Sequence, residues 1–213
     1  MIKIENIEVF GWHAAIRGMR NPLNSWHLSD SEFDMDGVFC VGPKDLDLML
    51  RLAKAGTDHR KYTRMLHVQM DITAPLYWWK DYDTYKVGTV ANSCSTMHKI
   101  HDKEFTEEMF AVDDMGPRGR TLLALTIESL NGHRRQFLDS NKTDKKAWEM
   151  MIKMLPCSYL QKRTVDLNYE VLLSLVNARK AHKLTEFREL CTIVRNELPY
   201  FEEIFNACHG GRN

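Results

Sequence analysis

Apolar residues recur along this chain with two periods, and the switches between them mark out its elements. Ile2 and Ile4, then Ile7 and Val9, alternate with polar neighbours, which predicts a strand over residues 2–10 with a bulge or slip near Asn6. Ala14 to Met19 fits a short helix, and residues 20–42, with Pro22, Asn24, Ser25, Asp30 and Ser31, are expected to be mostly loop. Pro43 near the start and Gly56 past the end bracket a helix carrying Leu46, Met49, Leu50 and Ala53. The cleanest strand signal runs from Arg64 to Thr73, with Leu66, Val68, Met70 and Ile72 on one side and Met65, His67, Gln69 and Asp71 on the other. Pro75 suits the first turn of a following helix that contains Trp78, Trp79 and Tyr82. Thr84 to Lys99 is small and polar, and Gly88 to Thr96 reads as loop. Helices are expected over Leu122 to Phe137 and Lys145 to Leu155, then over 168–182, 185–197 and 200–208. No internal repeat and no linker divides the chain, so residues 1–213 are read as one helix-rich α+β domain.

Composition narrows the classes. At 213 residues and 44% hydrophobic, the chain can bury a substantial core. Its 29 basic and 29 acidic residues cancel to a pI near 7.1, which argues against a nucleic-acid partner while leaving room for a local anion pocket. The five cysteines (Cys40, Cys94, Cys157, Cys191, Cys208) are odd in number and widely spaced, with neither a disulfide framework nor a C-x-x-C pair. Nine histidines come without an H-E-x-x-H, and His98 and His101, three apart, are the nearest approach to a metal pair. No metal site is expected. The opening Met-Ile-Lys-Ile-Glu lacks the apolar core of a signal, and no run approaches the about 18 apolar residues of a membrane span. A soluble, cytoplasmic protein is expected, with no membrane contact.

Two places carry candidate chemistry. Asn168, Leu172, Leu175 and Arg179 share one helical face, so a guanidinium ends an apolar stripe. A buried cation of this kind meets a carboxylate, a phosphate or a carbonyl; the plainer reading is a half-solvated cation favoured by the helix C-terminus. The second place is the polar stretch after Lys86, whose Ser93, Cys94 and Ser95 could help bind a phosphate or could be ordinary surface loop. Cys94 beside Lys86 could be an activated thiolate, a substrate contact or a small structural residue. Trp78 and Trp79 fit a core or a subunit interface better than a stacking platform.

Four stretches in order resemble the flavin-dependent thymidylate synthase family. They are Ala15-Ile16-Arg17-Gly18-Met19-Arg20-Asn21, then His67 to Tyr77 with its Ala74-Pro75-Leu76-Tyr77, then Leu155-Pro156 followed by Asn168, and Asn177-Ala178-Arg179 with His182 and Glu186-Phe187-Arg188. The family's R-H-R-x7-S signature is degenerate here: counted from Ala74-Pro75 it reads Thr84-Tyr85-Lys86 and then Cys94. Its N-A-R reads Asn168-Tyr169-Glu170, an acid in place of a base. The resemblance implies a small central antiparallel or mixed sheet and reductive methylation of dUMP to dTMP. FAD would be the cofactor, weakly held because of the motif changes, and NADPH and methylene-tetrahydrofolate the co-substrates. It implies a homotetramer, with Arg179, Lys86, Ser93, Cys94 and Ser95 on the nucleotide and Asn168, His182 and Tyr85 near the flavin. Two alternatives stand beside it: a non-catalytic nucleotide-binding protein on the same fold, and one-carbon modification of another pyrimidine nucleotide.

Overall fold

The computed structural model describes residues 2–210. In chain order the elements are β1 (Lys3–Phe10), α1 (Trp12–Arg20), β2 (Glu32–Phe33), β3 (Phe39–Cys40), α2 (Pro43–Ala55), β4 (His67–Pro75), α3 (Leu76–Tyr82), β5 (Thr89–Ser93), α4 (Pro117–Asp139), α5 (Lys145–Lys153), β6 (Leu160–Asn168), α6 (Tyr169–Arg179), α7 (Thr185–Glu197) and α8 (Phe201–His209). Four strands form one sheet in the order β1-β4-β6-β5, and β2 pairs with β3 as a separate antiparallel ribbon. The helix-rich α+β class with a small antiparallel sheet agrees with the sequence reading.

Local signals explain most boundaries. Asn6 takes φ 53° inside β1, which is the expected irregularity. Pro43 opens α2 after Gly42, and Gly56 closes it. In β4 the inward residues Val68, Met70 and Ile72, and Leu66 just before the strand, are at most 2% exposed; the strand starts later than expected because Lys61–Arg64 forms a 3-10 turn.

Two strands of the four-stranded sheet were not anticipated. The stretch read as loop over Gly88–Thr96 contains β5, and residues 160–168 form β6. In β6 the inward positions hold Gln161 and Arg163 before Val165 and Leu167, so an apolar alternation is only two residues long. Gln161 is 7% exposed and donates Nε2 to the Cys94 carbonyl (2.8 Å), while Arg163 lies 4.2 Å over the Trp79 ring. Polar groups satisfied by such partners can take core positions. Residues 20–42, expected as loop, also hold the short β2–β3 ribbon.

The chain divides into two compact units. The first comprises the described residues 2–5, then 71–84 and 91–164. Its core gathers Ile100, Phe105, Phe110, Leu123, Leu130, Phe137, Ala147 and Met151 between α4, α5 and the preceding segment. Trp78 and Trp79 are 0% and 1% exposed, with rings 4.8 Å apart and edge-on, so the pair is core and not interface. The second unit comprises residues 6–70, 85–90 and 165–210. Its core includes Trp12, Ile16, Met49, Leu66, Leu172, Phe187 and Phe201. Asp45, fully buried at the start of α2, accepts from Arg20 Nε (2.5 Å), from the hydroxyls of Ser29 and Ser31 (both 2.7 Å) and from the amides of Asp30 and Ser31 (both 3.1 Å). Burial alone would raise this carboxyl, but the five donors outweigh it and hold it below the usual range. Among the described residues, no helix is long and apolar enough to cross a membrane.

Candidate functional site

Helix α6 carries candidate residues at both ends. At its start the Asn168 side chain accepts the Val171 amide (3.0 Å) and caps the helix, which satisfies one of its open N–H groups. Glu170, in the first turn, binds Arg60 by two parallel bonds, Nε to Oε2 at 2.9 Å and Nη2 to Oε1 at 2.8 Å, and accepts the Thr63 hydroxyl at 2.8 Å. Burial pushes the Glu170 carboxyl up, but Arg60 and Thr63 outweigh it and leave the group lowered; Arg60 is correspondingly raised. The acid that replaces a base of the family motif is therefore paired within its own unit.

At the other end Arg179 is half-buried. Its Nε donates to the Tyr85 hydroxyl at 3.0 Å, and its guanidinium carbon lies 5.7 Å from the Tyr85 ring centre and 5.0 Å from that of Phe187. Such contacts fix the plane of the fork as well as its position. The following turn is held from within. The His182 amide donates to the Arg179 carbonyl (2.9 Å), and the Leu184 amide donates to His182 Nδ1 (3.3 Å). The His182 ring stands edge-on to Phe187 at 5.0 Å. Arg188 donates to the carbonyls of His182 and Lys183 and to the Thr185 hydroxyl, closing the turn into α7.

Tyr85 sits in residues 85–90, and Lys86 beside it is exposed. The segment needs glycine at 88: φ is +77°, and an added Cβ would meet Val171 Cγ2 at 3.1 Å and Asn168 Nδ2 at 3.2 Å. Thr84, where the motif has arginine, donates its hydroxyl to the Asp81 carbonyl (2.7 Å). Four of the nominated residues, Tyr85, Asn168, Arg179 and His182, thus lie on the two ends of α6 and the segments packed on it, with exposed Lys86 next to Tyr85.

Ser93, Cys94 and Ser95 belong to the first unit and are exposed. The Cys94 amide donates to the Lys162 carbonyl (2.9 Å), continuing the pairing of β5 with β6. Ser95 Oγ accepts the amides of Met97 (3.2 Å) and His98 (2.9 Å), which makes it the pivot of a turn. The Cys191 thiol in α7 is buried and pushed up to about 11 by desolvation, which keeps it protonated and unreactive. The sequence reading missed two functional-looking contacts, Arg179 with Tyr85 and Arg60 with Glu170. Their partners lie 94 and 110 residues apart, beyond any local pattern. A cavity of about 630 Å³ in the second unit lies against Val9, Phe10, Trp12, Phe33 and Phe39, and neither Arg179 nor Tyr85 lines it.

No family model and no curated protein matches the sequence. Solved structures do match the fold. A flavin-dependent thymidylate synthase, ThyX, from Helicobacter pylori, complexed with FAD and dUMP, is similar at 16% identity with a TM-score of 0.67 over 96% of this chain and 99% of that one. A second structure of the Helicobacter pylori protein with the same ligands gives 0.69 over 98% and 99%, again at 16% identity. A UMP/dUMP methylase, PolB, from Streptomyces cacaoi, bound with 5-Br dUMP, gives 0.66 at 15% identity over 97% and 95%. The chain has the fold of the flavin-dependent thymidylate synthases, as the resemblance in its sequence implied.

Proposed function

We propose that the protein binds a pyrimidine nucleoside monophosphate through Arg179 and methylates its base reductively. The substrate is dUMP and the product dTMP, with FAD as cofactor and NADPH and methylene-tetrahydrofolate as co-substrates. The observation that carries this reading is the oriented guanidinium at the end of α6. It stands in a fold shared with proteins described as holding FAD and dUMP. A guanidinium whose plane is set by Tyr85 and Phe187 can meet a phosphate in a charge-assisted contact stronger than a neutral one. Tyr85 in this reading orients Arg179 instead of touching the flavin. Lys86 adds a point charge, and Ser93, Cys94 and Ser95 supply further polar contacts to the nucleotide, with Cys94 as a contact and not a nucleophile.

In this reading Lys86, Asn168 and His182 contact the flavin, and Thr84, whose hydroxyl donates to the Asp81 carbonyl, does not. These fit a weakly held flavin. When bound, the flavin supplies the redox chemistry, and the chain contributes binding, orientation and charge. We read the assembly as a homotetramer, so a 24.9 kDa particle by light scattering at micromolar concentration would count against that part.

The test is nucleotide-dependent NADPH oxidation with methylene-tetrahydrofolate, with and without added FAD, with the product separated by chromatography. The expected result is dTMP formation only when FAD is supplied. Nucleotide binding with no flavin uptake, even after Thr84→Arg together with Lys86→Arg, would leave a binding protein without the chemistry. UMP is run in parallel, because the similar methylase from Streptomyces cacaoi is described as acting on both UMP and dUMP. Turnover of UMP above dUMP would move the substrate and keep the reaction.

A further inference from the structure

We propose that a pocket against α1 is a second binding site, for a small ligand carrying an oxyanion on an aromatic ring. The inference is independent of the nucleotide reading, and the pocket shares no residue with the Arg179 cluster. It has a volume of about 250 Å³ and lies wholly in the second unit. Pockets for drug-sized ligands run from about 300 to 1,000 Å³, so this one suits a single ring with one charged group.

One wall is a face of α1. His13, Ile16, Arg17 and Arg20 follow at i, i+3, i+4 and i+7, which stacks three basic side chains along one stripe. The opposite wall is the irregular segment that runs from Trp26 past Ser29 and Ser31 to Phe39. None of the lining residues is acidic.

The two arginines do different jobs. Arg20 is 4% exposed and already bound, Nε to Asp45 Oδ1 and Nη1 towards the Ser25 carbonyl and hydroxyl. It shapes the floor. Its carboxylate, Asp45, is saturated by five donors and so presents little free negative charge to a ligand. Arg17 is exposed, and among the described residues its side chain forms no hydrogen bond, ion pair or ring contact. It is the group available to grip an anion, with the His13 imidazole one turn away as a second donor.

The remaining polar groups argue for a ring beside the charge. Trp26 donates its indole N–H to Asn21 Oδ1 (2.7 Å), so what it offers the pocket is ring surface. Ser29 and Ser31 both donate to Asp45, and Ser31 Oγ also accepts the Gly42 amide (2.9 Å). The Phe39 ring is braced edge-on by Phe33 at 5.0 Å and by His13 at 6.2 Å. A bare phosphate would leave these apolar walls uncovered, and a neutral ring would leave Arg17 unused. An aryl phosphate or an aryl carboxylate satisfies both.

Calorimetric titration of the full chain with phenyl phosphate and with benzoate tests this, with inorganic phosphate and phenol as half-ligands. Saturable one-to-one binding of either aryl anion, tighter than both half-ligands, is expected, and the better of the two identifies the oxyanion. Arg17→Ala should weaken that binding about tenfold or more, and Trp26→Ala should weaken it as well, while Arg179→Lys leaves it unchanged. Both Arg17 and Trp26 are exposed, so folding should survive their replacement, and circular dichroism confirms it. No saturable binding of either aryl anion, affinity equal to that of inorganic phosphate, or indifference to Arg17→Ala would each overturn the proposal.

Discussion

The two ends of α6 each hold an arginine, in different surroundings. At the N-terminal end Arg60 meets Glu170 in a closed, two-pronged ion pair that Thr63 completes. At the C-terminal end Arg179 is aimed by a phenol hydroxyl and flanked by two rings. A bidentate carboxylate satisfies a guanidinium and makes it structural. A phenol hydroxyl and aromatic flanks orient one through uncharged groups. Under the proposed function, the same helix carries a fastening at one end and a nucleotide contact at the other.

The comparison breaks most visibly at the fastening. Glu170→Ala leaves Arg60 (12% exposed at the side chain) without its carboxylate and should cost about 3 kcal/mol of stability in urea denaturation. A loss of only a few tenths would show the pair to be ornamental. Arg179→Lys is the counterpart: dUMP affinity should fall by about 1.5–3 kcal/mol while the urea midpoint stays put, since lysine is a comparable helix former. Equal nucleotide affinity in both proteins would return Arg179 to a plain helix-end cation. Tyr85→Phe keeps the ring and removes the hydroxyl, and should cost about 0.5–1.5 kcal/mol in dUMP binding. In the Arg179→Lys background that cost should shrink, a non-additivity read from the double-mutant cycle. Acid gives the smallest contrast. The Glu170 carboxyl is lowered in the folded state, so its contribution is present above the unfolded value of 4.5 and is lost as pH falls through the folded one. Thermal stability of the parent should therefore fall more steeply below that pH than that of Glu170→Gln.

Legibility in the sequence followed how local the cause was. α2 could be read because Pro43 and Gly56 punctuate it, and β4 because its alternation is unbroken. β6 could not, because Gln161 and Arg163 take inward positions made tolerable by the Cys94 carbonyl and the Trp79 ring, contacts that cross more than sixty residues. At the candidate site Arg179 was legible as the polar end of an apolar stripe. Its partner Tyr85 was nominated for another task, and Glu170 was noted only as a charge reversal. A sequence displays which positions carry charge; the partner that decides what the charge does is set by the fold.

The buried Asp45 has a consequence for isotope exchange. It accepts the amides of Asp30 and Ser31, and the Asp30 carboxylate in turn accepts the amides of Lys44 and Asp45 at 2.9 and 3.1 Å. Exchange requires these bonds to open, and here they form one reciprocal set. Deuterium should therefore enter positions 30, 31, 44 and 45 slowly and together, so that a stretch with almost no regular structure keeps time with the first turn of α2.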